Sequence, residues 1–440
     1  MDKILRRSNV HREFTLKSVC TSTPREKVYL NIRKLQMLSS AALIAGCVTL
    51  TTGCSGGPIA SVPVASHATQ RFSAPLATFK SLYTFGISPD GAFPLASLTH
   101  FDGDLYGTTS QGGSANASGD GTVFKITRAG AEQILYSFQG VPDGQFPQAA
   151  LSMMHGVFFG TTANGGTTGN GAVFTITPSG GEHIIYSFAG GSDGASPTAS
   201  LIEVGGKLFG TTSGGGGTSC ADGFGCGTVF KIDSTGVESV VYRFQGGSDG
   251  QLPAAGLIDV NNVLFGTTFF GGGSGCNFKG CGTIFKLHLS GSESIVHSFQ
   301  GGSDGANPSA GLIAVNDVLY GTTSSGGAKD DGTVFKSSRS GAESVLHSFK
   351  GGSADGADPE AGLLEFNGTL YGTTFAGGAN TLGTVFQITP SGTESLIHTF
   401  AGPSDGANPS ASLVTVRGKL YGTTKTGGGA NNGTVFSLTP

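Results

Sequence analysis

The sequence has no tryptophan, four methionines among its 440 residues and only 12% charged side chains. Past residue 60 it contains no apolar pattern at helical spacing long enough to specify a helix, which argues against helical bundles and helix-covered parallel sheets. Basic side chains are scarce as well. Residues 1–36 hold nine of the 25 basic and three of the 29 acidic groups, so the remainder carries 16 against 26, a net charge of -10. A domain so balanced has no basic footprint for a phosphate backbone, and nucleic acid is not an expected partner. H-E-x-x-H, G-x-x-x-x-G-K-[ST] and the EF-hand loop are all missing, so no metalloprotease, phosphate-loop or EF-hand signature is present.

What the chain has is glycine, 76 residues of it, between short apolar stretches. Such a composition favours short strands joined by tight turns. The phrase "GTT" recurs at Gly107, Gly160, Gly210, Gly266, Gly321, Gly372 and Gly422, at spacings of 53, 50, 56, 55, 51 and 50 residues. A period of ~40–50 residues is the span of one propeller blade. The unit Asp304–Phe349 contains four strand candidates, "AGLIAV", "VLYGTT", "GTVFK" and "ESVLHSF", here called A to D in chain order. Their connections are of hairpin length, so neighbours should pair antiparallel.

The units are offset by one strand. "FKSLYTF" (79–85) is a D strand that precedes any complete unit, and the chain ends at "GTVFSLTP" (433–440) without a D strand of its own. A closed ring accounts for both, since the N-terminal strand would complete the last blade and remove two open sheet edges. The expectation is an all-β, seven-bladed β-propeller of four-stranded antiparallel blades over 79–440, closed by pairing of 79–85 with the C-terminal blade.

The phrases "LYGTTSQGG" (105–113) and "GTVFKIT" (121–127) resemble the tandem repeat family called Gloeo_Verruco, or GloVer. The resemblance covers nearly all of 79–440 and implies an exported repeat protein without pointing to any one activity. Departures are small: Ala172 stands for Thr in the second "GTVF", and Thr175 for the usual Lys.

Residues 1–54 read as an N-terminal extension and signal segment, with Arg33 and Lys34 before an apolar, small-residue run. The run resembles a bacterial lipoprotein signal, with Cys54 or Cys47 as the lipid anchor. Residues 55–78 read as a flexible tether. The expected product is a monomer, exported and held at a membrane by its lipid, or secreted if not lipidated.

Within each blade the B–C and D–A connections share one face. The B–C loops hold 11, 8, 14, 13, 8, 8 and 8 residues, and variable loops on a constant scaffold are where binding usually resides. The two longest carry Cys220, Cys226, Cys276 and Cys281, read as two local disulfides in an exported domain. A four-cysteine zinc site is the sharper alternative, but four and five intervening residues do not match the usual spacing. Phe224, Phe269, Phe270 and Phe278 sit in or beside these loops and form the candidate contact patch.

Each D–A connection carries an Asp-Gly, at Asp90, Asp143, Asp193, Asp249, Asp304, Asp355 and Asp405. One reading is a ring of carboxylates at the channel mouth able to hold calcium. The other is seven turns in which Asp accepts local backbone hydrogen bonds. His297, His347 and His398 occupy a position held elsewhere by Tyr83, Tyr136, Tyr186 and Tyr242; sheets packed ~10 Å apart keep successive histidines from sharing a metal. Lys125, Lys231, Lys286 and Lys336 are expected to pair across the C–D turn with Glu132, Glu238, Glu293 and Glu343.

Together these features suggest a non-catalytic binding or scaffold module of the cell envelope, meeting a glycan or protein through its B–C loops and needing no cofactor. The alternative is a hydrolase or lyase acting on an extracellular polysaccharide at the same face. The unusual charges there, Asp120, Asp222, Lys279, Lys329, Asp330 and Asp331, form no acid/base pair by sequence.

Overall fold

The computed structural model describes residues 77–440 apart from 115–118, 218–219, 221–222 and 278. Cys47, Cys54, the signal segment and nearly all of the tether therefore lie outside the described residues, as do Phe278 and Asp222. Seven four-stranded antiparallel sheets follow one another as blades of a propeller. In the first, strand A (Thr99–Phe101) pairs with B (Asp104–Thr109), B with C (Thr122–Thr127), and C with D (Glu132–Ser137). The last blade takes its outer strand from the start of the chain: Thr78–Thr84 pairs antiparallel with Thr434–Thr439, from Thr78 opposite Thr439 to Thr84 opposite Thr434. The expected closure is the one observed.

Two-residue A–B turns such as Asn316-Asp317 have both residues at positive φ, 51° and 63°, the mirror-image turn whose twist suits a hairpin. The "GTT" and "GTVF" phrases are explained by packing between B and C and between neighbouring blades. A Cβ on Gly107 would lie 2.5 Å from Cζ of Phe124, so the Phe of "GTVF" rests on bare backbone. Thr108 donates through Oγ1 to the carbonyl of Ala149 in the next blade, 3.1 Å away. The same bond recurs around the ring and is completed by Thr423 donating to Ala96. Thr109 and Thr122 link B to C through their hydroxyls at 2.7 Å.

The core is divided into seven layers between blades. The Phe that ends each D strand meets the "GTVF" Phe of the following blade edge to face, as in Phe138–Phe174 at 5.1 Å and, at the closure, Phe400–Phe436 at 5.4 Å. Edge-to-face contacts at this distance suit the ring quadrupoles. Nothing in the blades supplies a helix able to cross a membrane among the described residues.

Candidate functional site at the channel mouth

Seven Pro residues, from Pro94 to Pro409, each introduce a tripeptide that lines the central channel, with Ala96, Ala149, Ala199, Ala255, Ala310, Ala361 and Ala411 at their centres. The residue directly after each Pro reads Leu95, Gln148, Thr198, Ala254, Ser309, Glu360 and Ser410. These seven line a cavity of about 530 Å³ at the mouth, together with Ser213, Leu252, Phe269 and Lys425. The scaffold is repeated, but the mouth is not symmetric. One carboxylate and one ammonium face it, with a phenyl ring, an amide and several hydroxyls.

Local backbone geometry explains why these positions are free to vary. The residue before each Pro, among them Phe93, Leu252, Asn307 and Asp358, sits at φ between 54° and 59°. It ties two blades through its own backbone: Asn307 donates to the Cys281 carbonyl, and its carbonyl accepts from Ser324. Side chains beyond that knot then project with little structural duty.

Burial, reinforced by the neighbouring Asp358, pushes the Glu360 carboxyl upward, while Lys425 opposes the shift. Lys425 also lies 5.5 Å over the ring of Phe375, a cation–π contact. Phe375 and Lys425 occupy the position after "GTT" that Phe269 holds in its blade. Glu360, Phe375 and Lys425 were not singled out by sequence reasoning. The available signal was a departure from the repeat at two positions otherwise filled by small or uncharged residues.

The aromatic patch divides in two. Phe269 lines the mouth and meets Phe270 edge to face at 4.8 Å, with Lys279 over the Phe270 ring at 5.0 Å. Phe224 is 80% exposed and borders a separate hollow of about 360 Å³ among Gly215–Gly217 and Cys220. Both expected disulfides are present, Cys220–Cys226 and Cys276–Cys281; they tie down the loops that carry these rings.

None of the seven turn aspartates lines the channel or its mouth cavity. Each is occupied by its own blade. Asp143 accepts from Tyr136 Oη at 2.8 Å and from the backbone N–H of Gln139 and Gly144. At Asp304, Asp355 and Asp405 the partner is His297, His347 or His398.

The expected Lys–Glu cross-strand pairs do not form. Lys125 stands opposite Gln133, and Glu132 opposite Ile126. One residue of difference puts the two side chains on opposite faces of the sheet. Lys125 instead reaches Asp104 at 3.8 Å. The glutamates turn into the layer between blades, toward the Tyr–Asp pair of the preceding blade. There burial, reinforced by the carboxylates of Asp90, Asp143, Asp193 and Asp249, pushes Glu132, Glu182, Glu238 and Glu293 up to about 7. At the closing blade this position is Phe79, whose ring stacks on His398 with centroids 3.8 Å apart.

Among solved structures, the chain resembles a luciferin-regenerating enzyme (12% identity, TM-score 0.38, covering 83% of this chain and 95% of that one). It also resembles a gluconolactonase of Xanthomonas campestris (14% identity, TM-score 0.39, 82% and 89%) and puromycin hydrolase (11% identity, TM-score 0.47, 77% and 52%). At these identities the activities of those proteins say nothing about this one. No curated protein matches the chain. The model of the Gloeobacter/Verrucomicrobia repeat matches residues 70–278 and 274–440, and the chain belongs to that repeat family.

Proposed function

We propose that the protein is an exported, non-catalytic binding module of the cell envelope that takes a glycan at the channel mouth. The carrying observation is the asymmetry of that mouth within an otherwise repeated body. Gln148 and Ser309 supply donors and acceptors suited to sugar hydroxyls, and Phe269 supplies a face for stacking. Two disulfides support an oxidising compartment, and a lipid on Cys54 or Cys47 would keep the module at a membrane. The Phe224 hollow, walled by a stapled loop, is a second contact point for an extended ligand.

Glu360, held upward by burial beside Asp358, favours one competing reading, a hydrolase or lyase using the same mouth. Retention of cell-wall and extracellular polysaccharides, with polymer size read in the same experiment, separates the two. Binding of intact polymer that weakens about tenfold or more in Phe269→Ala and Lys425→Ala supports the module. Shortened polymer, abolished by Glu360→Gln, overturns it in favour of the enzyme. Neither retention nor cleavage transfers the face to a protein partner.

A further inference from the structure

The histidines that cannot meet one another do meet carboxylates from two blades. His297 is the next-to-last residue of the outer strand of the fourth blade (Glu293–Ser298), Asp304 sits in the turn that follows, and Glu343 opens the outer strand of the fifth. His347, Asp355 and Glu394 repeat the arrangement between the fifth and sixth blades. In each trio one donor atom per residue lies within 4.8 Å of the others. We propose that each trio is a binding site for a divalent transition-metal ion such as zinc, clamping adjacent blades through one imidazole and two carboxylates.

The spacing fits. Donor atoms ~2.0–2.1 Å from a tetrahedral zinc stand ~3.3 Å apart. His297 Nε2 lies 3.3 Å from Asp304 Oδ2, and His347 Nε2 lies 3.3 Å from Asp355 Oδ2. Both are long for an N–H···O bond. The third donor is ready as well: Oε1 of Glu343 and Oε1 of Glu394 are shielded from solvent and have no hydrogen-bond partner.

The other interfaces act as internal comparisons. Where tyrosine replaces histidine, the phenol donates to Asp at 2.7–2.9 Å. Burial holds that phenol in its protonated form, which is no ligand. Where histidine and aspartate are both present but Phe79 replaces the glutamate, His398 and Asp405 close to 3.0 Å as an ordinary pair. Only the two interfaces with imidazole and both carboxylates combine a nitrogen ligand with an orphan oxygen. Imidazole with carboxylates suits zinc, and three protein ligands leave a fourth position for water.

The test uses the full chain, stripped with chelator and titrated with zinc against a chromogenic competitor. The double variant His297→Tyr/His347→Tyr recreates an interface that the propeller already uses at four others, so folding should survive. The parent should take up two zinc ions more than the double variant and one more than either single variant. His398→Tyr should match the parent. Added zinc should raise the melting temperature of the parent and leave that of the double variant unchanged. Zinc held elsewhere in the chain cancels in the difference. Equal uptake by parent and double variant, or no zinc-dependent change in melting temperature, overturns the proposal.

Discussion

The glutamates between the blades give this propeller a pH dependence whose direction can be worked out. In the unfolded chain a glutamate titrates at its ordinary 4.5; in the folded protein Glu182 titrates at about 7, raised first by burial and then by the carboxylate of Asp143. A group whose folded value is raised favours the folded state in its protonated form. That contribution is complete below about pH 4.5 and is lost as the pH climbs to 7. At ~1.4 kcal/mol per pH unit the ceiling is roughly 3.4 kcal/mol. The side chain is only half-buried and partly screened, which brings the figure to about 1–2 kcal/mol.

Glu182→Gln keeps the shape and donor capacity of the protonated acid and removes the charge. Urea denaturation of parent and variant at several pH values from 4 to 8 measures the effect. The two should be nearly equal at pH 4, and the variant should be more stable by about 1–2 kcal/mol at pH 8. A stability difference that does not change with pH, or a variant less stable than the parent at pH 8, refutes the reasoning.

Two further expectations concern the repeat itself. In the second blade Ala172 stands where Thr122 stands in the first, and Thr162 Oγ1 is left buried without the hydroxyl partner that Thr109 has. Ala172→Thr should therefore stabilise by about 1 kcal/mol, read as a higher denaturation midpoint at an unchanged slope. Gly321→Ala should destabilise by about 1–3 kcal/mol, because the added methyl would fall 2.6 Å from Phe335 and 2.8 Å from Leu312. Gly429→Ala, where nothing lies within 4 Å of the added carbon, is the control expected to unfold with the parent.

The fold was legible because its evidence is repeated: seven copies of "GTT" and "GTVF", and one D strand out of phase. The A–B turns and the disulfides were legible for local reasons, from turn chemistry and from paired cysteines in two loops. The Lys–Glu row was misread because counting along the chain does not fix the register of a hairpin. Lys125 and Glu132 differ by a single place in that register, and one place decides the face. Their partners also come from another blade, which no local pattern announces. The mouth was hidden for a different reason. Glu360 and Lys425 are 65 positions apart in the numbering, and only radial packing of neighbouring blades brings their repeat positions to one rim. A repeat displays what its copies share, whereas this site is made from what they do not.

Phe79 has a consequence for assembly. The first strand made has to wait for the last, and meanwhile every blade in the growing chain offers a C strand of nearly the same sequence. Six of the seven outer strands begin with a glutamate and suit a Tyr–Asp or His–Asp pair. The seventh carries a phenyl ring in that place, which lies flat on the imidazole of His398 and packs against Phe400 and Phe436. Set beside a phenol and its carboxylate, the same ring would bring no polar group to that node. The substitution thus works as a coarse address: it suits the three berths beside His297, His347 and His398 and disfavours the four beside a phenol.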